Sequence, residues 1–132
     1  MTTRNSTTMT TSYFQDVVAW HRAVGHPVES ELRRGFDDAL GWRLVDEEFS
    51  ELQNAYWSDF RTEDVADGIA DLIWVLCGLA ARHGINVDAV WEEVKRANFD
   101  KLTGPKREDG KILKPEGWRP PDIGKALKER IP

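Results

Sequence analysis

The strongest constraint on the fold is the periodicity of residues 62–83, which include the stretch DVADGIADLIWVL. Each residue of an α-helix advances by about 100°, so side chains three and four positions apart share one face. The apolar side chains with this spacing, which predict the core face of a helix, are Val65, Ile69, Leu72, Ile73, Leu76 and Leu79. Asp64, Asp67 and Asp71 fall within an arc of about 60° elsewhere on the same helix. The segment therefore predicts an amphipathic helix with an acidic stripe.

The rest of the chain has no alternating strand pattern of useful length and no internal repeat. Helices are predicted at residues 13–24, 33–57, 62–83 and 86–102, with a short terminal helix at residues 123–130. Ser12 is a candidate N-cap for the first helix, and Gly84 is a candidate C-cap for the third. Residues 103–121 are rich in Gly, Pro and charge, and we expect a loop or arm that becomes ordered on binding. The predicted fold class is all-α, a compact bundle of four main helices with a basic Pro/Gly-rich C-terminal arm.

A chain of 132 residues has the size of one domain, which we assign to residues 13–132, and residues 1–12 are interpreted as a disordered polar tail. No apolar run approaches the ~18 residues that a membrane helix needs, and the first residues lack the apolar stretch of a signal peptide. The single cysteine, Cys77, lies in an apolar run, which suits a structural thiol in a reducing compartment. We therefore expect a cytoplasmic protein with no membrane partner.

The charge is distributed unevenly along the chain. Residues 1–100 hold 9 Lys and Arg against 18 Asp and Glu, whereas residues 101–132 hold 9 against 5. An acidic body argues against a nucleic-acid polymer as partner, because neutralising its phosphates needs a basic surface. A small basic arm beside an acidic centre instead suits a metal-complexed phosphate compound, with carboxylates on the cations and Lys or Arg on the phosphates.

Two glutamates of the second predicted helix lie on its apolar side. On a helical wheel, Glu48 and Glu51 fall within about 60° of a group formed by Leu44, Val45, Leu52 and Ala55. An unpaired buried carboxylate is destabilising, so such groups are usually protonated, paired with a base or bound to a metal. Facing Asp67 and Asp71 of the third helix, they would form an all-oxygen cage suited to Mg²⁺ or Mn²⁺. We predict these four residues as metal ligands, with two or more ions per site.

Other interpretations of the acidic residues are less well supported. An interhelical salt-bridge layer would need basic partners for Asp67 and Asp71. The first basic residue that follows them on the third helix is Arg82, several turns away. A di-iron carboxylate bundle normally adds a histidine three residues after a glutamate, and this sequence has none there. A zinc site lacks clustered His and Cys ligands. The three histidines, His21, His26 and His83, are interpreted as structural.

Several blocks of sequence, in order, resemble one known superfamily. They are EExxE at residues 47–51, DGIADLIWVLCGLAARHGI at 67–85, VWEEVKRANFDK at 90–101 and GKILKPEGWRPPDI at 110–123. Together they are similar to the MazG-like, all-α nucleoside triphosphate pyrophosphatase superfamily, which includes phosphoribosyl-ATP pyrophosphohydrolases and dimeric dUTPases. The likeness covers about two thirds of the chain, from Arg43 onward. It implies cleavage between the α- and β-phosphates of a nucleotide, with Mg²⁺ or Mn²⁺ bound by the acidic motif.

The chain departs from the family pattern at one position. The usual EExxE is followed by ExxD, and with Asp71 as the last aspartate the expected glutamate falls on Gly68. Asp67, on the same stripe one turn before Asp71, is the expected substitute, and Asp64 is a second candidate. Glu47 lies beside the ligands, and the resemblance makes it the candidate to accept a proton from the attacking water.

Phosphate-binding residues are predicted outside the acidic motif. Asn98 and Lys101 are one turn apart near a helix end and can reach the same phosphate chain, a pairing that the resemblance supports. Lys114 and Arg119 belong to the last matching block and are further candidates. Six tryptophans are present, and Trp20 is expected, with the neighbouring His21, to stack on a nucleobase.

Assembly and substrate are predicted less sharply. Helices with an apolar face broken by carboxylates pack well against a second copy, and the resemblance also implies a homodimer or homotetramer. The first functional hypothesis is a (d)NTP pyrophosphohydrolase, for which dUTP and dGTP are both open as substrates. The alternatives are a phosphoribosyl-ATP pyrophosphohydrolase and a nucleotide-binding homologue whose catalysis is weakened by Gly68.

Overall fold

The computed structural model describes residues 10–33 and 38–132, and these residues form helices and loops without β-strands. The elements are α1 (Tyr13–Ala23), α2 (Ala39–Trp57), α3 (Thr62–Arg82), α4 (Val87–Phe99) and α5 (Ile123–Ala126). α1 and α2 both pack along α3, whereas α5 packs on α4. The prediction of an all-α bundle of four main helices and a short terminal helix is confirmed. Most of the predicted disordered tail falls on residues 1–9, which lie outside the described residues.

α1 begins at the predicted cap. The Gln15 N–H donates to Ser12 Oγ at 3.0 Å, and the Ser12 N–H donates to Gln15 Oε1 at 3.0 Å, which forms a capping box. The buried face of α1 then contributes to the central apolar cluster of Phe14, Val17, Val18, Cys77, Ala81 and Ile131. Burial raises the pKa of the Cys77 thiol, as expected for a structural rather than a reactive cysteine.

α2 begins later than the predicted residue 33. Asp38 is its N-cap, with Oδ1 accepting from the Gly41 N–H at 3.0 Å and from Arg82 Nη1 at 2.6 Å. Both charged side chains of this ion pair are largely buried, with 2% of Asp38 and 12% of Arg82 exposed. Arg33 is not helical, and residues 34–37 lie outside the described residues. The ion pair therefore joins the start of α2 to the C-terminal end of α3.

The predicted core face of α3 is corrected by the structure. Val65 is buried as expected, but Ile69, Ile73 and Leu76 are 48%, 37% and 46% exposed. The other buried residues of α3 are Gly68, Cys77, Gly78 and Ala81. Small side chains let neighbouring helices approach closely, so the intrachain packing follows these residues. Leu72 and Leu79 of the predicted face are partly buried, and the other larger apolar side chains remain exposed.

The loop after α1 lies against the end of α3. The Glu29 N–H donates to the Ala81 carbonyl at 3.0 Å, and the Arg33 N–H donates to the His83 carbonyl at 2.9 Å. Gly84 directly follows the C-cap of α3 and has φ +72°, in the left-handed region that favours glycine. A Cβ at this position would also overlap the Glu31 carbonyl oxygen. Gly84 is thus required both by the helix end and by the loop that crosses it.

The last two helices are shorter than predicted. α4 ends at Phe99 rather than at residue 102, and α5 ends at Ala126 rather than at residue 130. In both places the backbone continues in turns with i to i−3 hydrogen bonds, such as the Leu102 N–H to the Phe99 carbonyl at 3.1 Å. No helix in the described ranges is long and apolar enough to cross a membrane.

Candidate active site

The site is built around Glu48 on α2. Its Oε2 atom is buried and has no hydrogen-bond partner in the described part of the chain. Burial raises the pKa of the Glu48 carboxyl, and the negative charges of Glu51, Asp71 and Glu47 raise it further. The packing of α2 along α3 thus brings carboxylates of both helices within electrostatic reach of one another. Such a group is stabilised by a proton or by a cation.

Glu51, Asp71 and Glu47 are the acidic side chains that act on Glu48, whereas Asp67 is not among them. Glu51 and Asp67 are exposed, whereas Asp71 is partly buried. The prediction of two buried glutamates therefore holds in part for Glu48 but is wrong for Glu51. Asp64, the second candidate, lies 3.7 Å from the Arg61 guanidinium and so has a basic partner.

These side chains do not form a closed ligand set. As placed, no three Asp, Glu, His or Cys side chains in residues 10–33 and 38–132 converge closely enough to hold a metal ion together. The donor set is nonetheless all oxygen, and one of its oxygens, Oε2 of Glu48, is buried without a partner. Both properties fit a hard divalent cation such as Mg²⁺ or Mn²⁺.

Gly68, where the family pattern has glutamate, lies on α3 against Leu52 of α2. A Cβ at this position would lie 3.2–3.3 Å from the Cα, Cβ and Cδ1 atoms of Leu52. A side chain at position 68 therefore requires α2 and α3 to separate by a few tenths of an ångström. The glycine allows the tight approach that places Glu48 near Asp71.

Three of the four predicted phosphate-binding residues lie together around Trp118. Lys101 Nζ is 3.5 Å from Asn98 Oδ1 and 5.0 Å from the centre of the Trp118 ring. Lys114 Nζ is 4.9 Å from the centre of the same ring. Arg119, the fourth candidate, is exposed. The structure thus brings an amide and two ammonium groups to one surface at the end of α4.

The arm itself differs from the sequence prediction. Residues 103–121 were expected to become ordered on binding, yet they are folded against α4 in the single chain. A short turn in the arm is closed by an antiparallel bridge between Lys106 and Ile112. The physical reason is that the arm makes hydrogen bonds with α4, which local sequence patterns do not reveal.

The two candidate base-binding residues have different surroundings. His21 is 7% exposed, and its Nδ1–H donates to the Val17 carbonyl at 2.8 Å. A Cβ at Gly78 would lie 3.1 Å from the His21 ring, so the imidazole fills the space that this glycine leaves, and burial lowers its pKa. Trp20 is 44% exposed, with its ring centre 5.8 Å from that of Trp74. His21 therefore has a structural environment, whereas Trp20 presents a ring surface.

Sequence reasoning missed the buried ion pair of Asp38 with Arg82 and gave Trp118 no role. An aspartate just before the helical period of α2 was an available N-cap signal, but the pairing with Arg82 depends on tertiary contact. The position of Trp118 between two lysines had no local signal, since Lys101 and Lys114 are far apart in sequence.

The comparison with known families agrees with the all-α fold. The all-α bundle is the fold of the MazG-like all-α nucleoside triphosphate pyrophosphatase superfamily. Residues 17–98, more than half of the chain, match the model of the phosphoribosyl-ATP pyrophosphohydrolase family, and the chain belongs to this family. No curated protein matches the chain. The family defines the protein as a pyrophosphohydrolase, which hydrolyses phosphoanhydride bonds.

Proposed function

We propose that the protein is a metal-dependent nucleoside triphosphate pyrophosphohydrolase that converts a free (d)NTP and water to (d)NMP and pyrophosphate. The observation that carries the proposal is the environment of the partly buried Glu48. Three other carboxylates repel its negative charge, and its Oε2 atom has no hydrogen-bond partner among the described residues. The ion pairs among the described residues include none of Glu48, Glu51 and Asp71. A divalent cation would supply the missing positive charge.

Glu48, Glu51, Asp67 and Asp71 would hold the cations, two or more per site. When bound, Mg²⁺ or Mn²⁺ neutralises phosphate charge and lowers the pKa of a bound water. Glu47 is exposed beside Glu48 and would accept a proton from the water as the water oxygen bonds to the α-phosphorus. The bond from the α-phosphorus to the oxygen bridging it to the β-phosphorus then breaks, and pyrophosphate leaves.

The leaving pyrophosphate carries charge that the chain can neutralise. Asn98, Lys101 and Lys114 form one surface, and their amide and ammonium groups would hold the β- and γ-phosphates. Arg119, which is exposed and follows Trp118 in sequence, would add one more positive charge. The exposed ring of Trp20 is the remaining candidate for stacking on the base.

Phosphoribosyl-ATP is the second candidate substrate, because the matching family carries its name. Its hydrolysis would use the same residues, since the bond between the α- and β-phosphates is the same type of anhydride. A homologue that binds nucleotide without hydrolysing it is the third possibility. It is considered because Gly68 replaces the glutamate of the family pattern.

The test is pyrophosphate release from the eight common (d)NTPs, dUTP and phosphoribosyl-ATP, with Mg²⁺, with Mn²⁺ and with EDTA. We expect release of monophosphate and pyrophosphate from at least one (d)NTP, lost in EDTA and restored by metal. Turnover of phosphoribosyl-ATP alone would replace the proposed substrate by the second candidate. Nucleotide-dependent thermal stabilisation without turnover of any substrate would contradict the enzymatic proposal and favour the binding protein.

We further propose a homodimer formed through the outer face of α1 and α3. The exposed Ile69, Ile73 and Trp74 line an apolar groove of about 350 Å³ between these helices, together with Tyr13 and Val17. A contiguous apolar surface of this kind on a small chain is typical of an interface between copies. A neighbouring copy can also supply its arm to the site.

Replacing Ile73 by glutamate is expected to dissociate the dimer. An unpaired carboxylate in the interface is strongly unfavourable, and we expect the dissociation constant to rise by about 100-fold or more. Analytical ultracentrifugation over a concentration series measures the effect. Trp91→Glu, a comparably charged change at an exposed position of α4, is the matched control and should leave the dimer intact. A wild-type chain that sediments as a monomer at all concentrations would refute the proposal.

A further inference from the structure

The position of Trp118 is fixed by contacts on two sides. Its indole N–H donates to the Ala97 carbonyl of α4 at 2.7 Å, and the ring is partly buried. Its backbone N–H donates to the Pro115 carbonyl at 3.1 Å, in a turn whose Gly117 has φ +76°. Gly117 occupies the turn position that requires a positive φ. The indole ring is therefore held in one orientation on the surface of α4.

Further contacts hold the arm on both sides of this ring. Arg96 Nη2 donates to the Pro120 carbonyl at 2.9 Å, and the Asp122 N–H donates to Glu93 Oε1 at 2.8 Å. Before the ring, the Leu113 N–H donates to the Pro105 carbonyl at 2.7 Å, which closes the turn of the arm. The segment that carries Lys114 is therefore fixed relative to the segment that carries Lys101.

Two positive charges lie close to this ring. Lys101 comes from the end of α4 and Lys114 from the arm, and their ammonium groups lie 5.0 and 4.9 Å from the ring centre. A cation is attracted to an aromatic face, and long lysine side chains otherwise sample many rotamers. The described ion pairs of the chain include neither lysine, so both charges are available to an anion. The ring keeps together two like charges that would otherwise repel each other.

We infer that Trp118 is a positioning residue that presents Lys101 and Lys114 as a pre-arranged pair to the phosphate groups that leave as pyrophosphate. The inference rests on the proposed function for the identity of the ligand. Pre-arranged side chains lose less conformational entropy on binding, so the ring contributes to affinity without touching the ligand. The ligand class is a diphosphate or triphosphate group, free or as part of a nucleotide.

The test measures binding of inorganic pyrophosphate, in the presence of Mg²⁺, by isothermal titration calorimetry. Trp118→Leu removes the ring and its hydrogen bond, and we expect about tenfold weaker binding. Trp118→Phe keeps an aromatic face but loses the indole N–H, and we expect about threefold weaker binding. Trp91→Leu removes a more exposed tryptophan of α4, the helix on which Trp118 packs, and should bind as the wild type does. Circular dichroism checks that each variant is folded, and Trp118→Phe carries the test if Trp118→Leu is not.

A second comparison separates positioning from general support of the fold. Trp118→Leu is also made in a chain that carries Lys101→Met and Lys114→Met. If the ring acts through the lysines, it has no further effect on pyrophosphate affinity in this background. Equal losses in both backgrounds would overturn the inference, as would wild-type affinity in Trp118→Leu or no binding of pyrophosphate by the wild type.

Nucleotide kinetics distinguish this inference from the proposed function. With an active substrate, Trp118→Leu is expected to raise KM by about tenfold and to change kcat by less than about threefold. If the wild type hydrolyses no nucleotide but the expected pattern of pyrophosphate binding is found, the proposed reaction is wrong while the role of Trp118 stands. If nucleotides are hydrolysed but the Trp118 variants bind pyrophosphate as the wild type does, the proposed reaction stands and the role of Trp118 is wrong.

Discussion

Replacing Glu48 by glutamine is expected to abolish pyrophosphate release and, at the same time, to raise the melting temperature of the metal-free protein. Glutamine keeps the size of the side chain but cannot supply a negative charge to a cation. We expect kcat/KM to fall by at least about 10³-fold, the scale at which loss of a metal ligand acts on transition-state stabilisation. The stability should change in the opposite direction because the charge repulsion and desolvation of Glu48 disappear.

The sign of the pH dependence follows from the raised pKa of Glu48. A folded state with a raised carboxyl pKa binds more protons than the unfolded chain, so the free energy of unfolding falls as pH rises from about 4 towards neutrality. Glu48→Gln removes this contribution, so the melting temperature of the metal-free variant should exceed that of the wild type by a margin that grows as pH rises over that range. Saturating Mg²⁺ should stabilise the wild type and not the variant, so that the wild type then has the higher melting temperature.

Differential scanning calorimetry across pH, with and without Mg²⁺, provides the measurement. Asp46→Asn is the matched control, because Asp46 is an exposed acidic residue of the same helix and should alter neither activity nor the response to metal. Equal stabilisation of wild type and Glu48→Gln by Mg²⁺ would mean that Glu48 is not a ligand. A lower melting temperature of metal-free Glu48→Gln would show that the Glu48 carboxyl makes a favourable interaction within the protein itself.

The second large effect is expected at the ion pair that begins α2. Asp38→Ala removes the N-cap acceptor of Gly41 and leaves the guanidinium of Arg82 largely buried without its carboxylate. Loss of one partner from a buried pair typically costs about 3–5 kcal/mol, and loss of a helix cap adds about 1 kcal/mol. We expect the free energy of unfolding to fall by at least about 3 kcal/mol, measured by urea denaturation of the metal-free protein.

Companion variants divide this loss between cap and charge. Asp38→Asn keeps a capping oxygen and should retain part of the stability, whereas Asp38→Ala combined with Arg82→Met should be more stable than Asp38→Ala alone. Removing the exposed pair of Lys95 with Glu92, which lies 2.9 Å apart, should change stability by less than about 0.5 kcal/mol. If Asp38→Ala costs as little as this surface control, the ion pair contributes nothing to the start of α2.

The helices could be predicted from the sequence where their signals are local. Ser12 with Gln15 marks the start of α1, and Gly84 marks the end of α3, because capping and a positive φ depend on neighbouring residues only. The start of α2 was placed too early, since it is set by contact of Asp38 with Arg82 across the bundle. A helical wheel contains no information about that contact.

The faces of the helices were harder to predict than their existence. Hydrophobicity assigned Ile69 and Ile73 to the core, yet the chain packs α3 through small residues such as Gly68 and Gly78. Apolar periodicity identifies a surface that avoids water but does not say whether the same chain or another one covers it. The acidic cluster around Glu48 was predicted because carboxylates at helical spacing on an apolar side are unusual whichever neighbour covers them.

The hydrogen bonds between the arm and α4 have a consequence for how such a protein can change over evolution. The anchors described here join Glu93, Arg96 and Ala97 to positions between Trp118 and Asp122, so the arm docks on one helix. The carboxylates lie on α2 and α3, whose mutual packing uses Leu52 and Gly68 instead. If the arm binds phosphate groups as proposed, mutations in residues 103–121 would alter recognition of the substrate while the carboxylates of α2 and α3 keep their geometry, and new specificities could be selected on the arm alone.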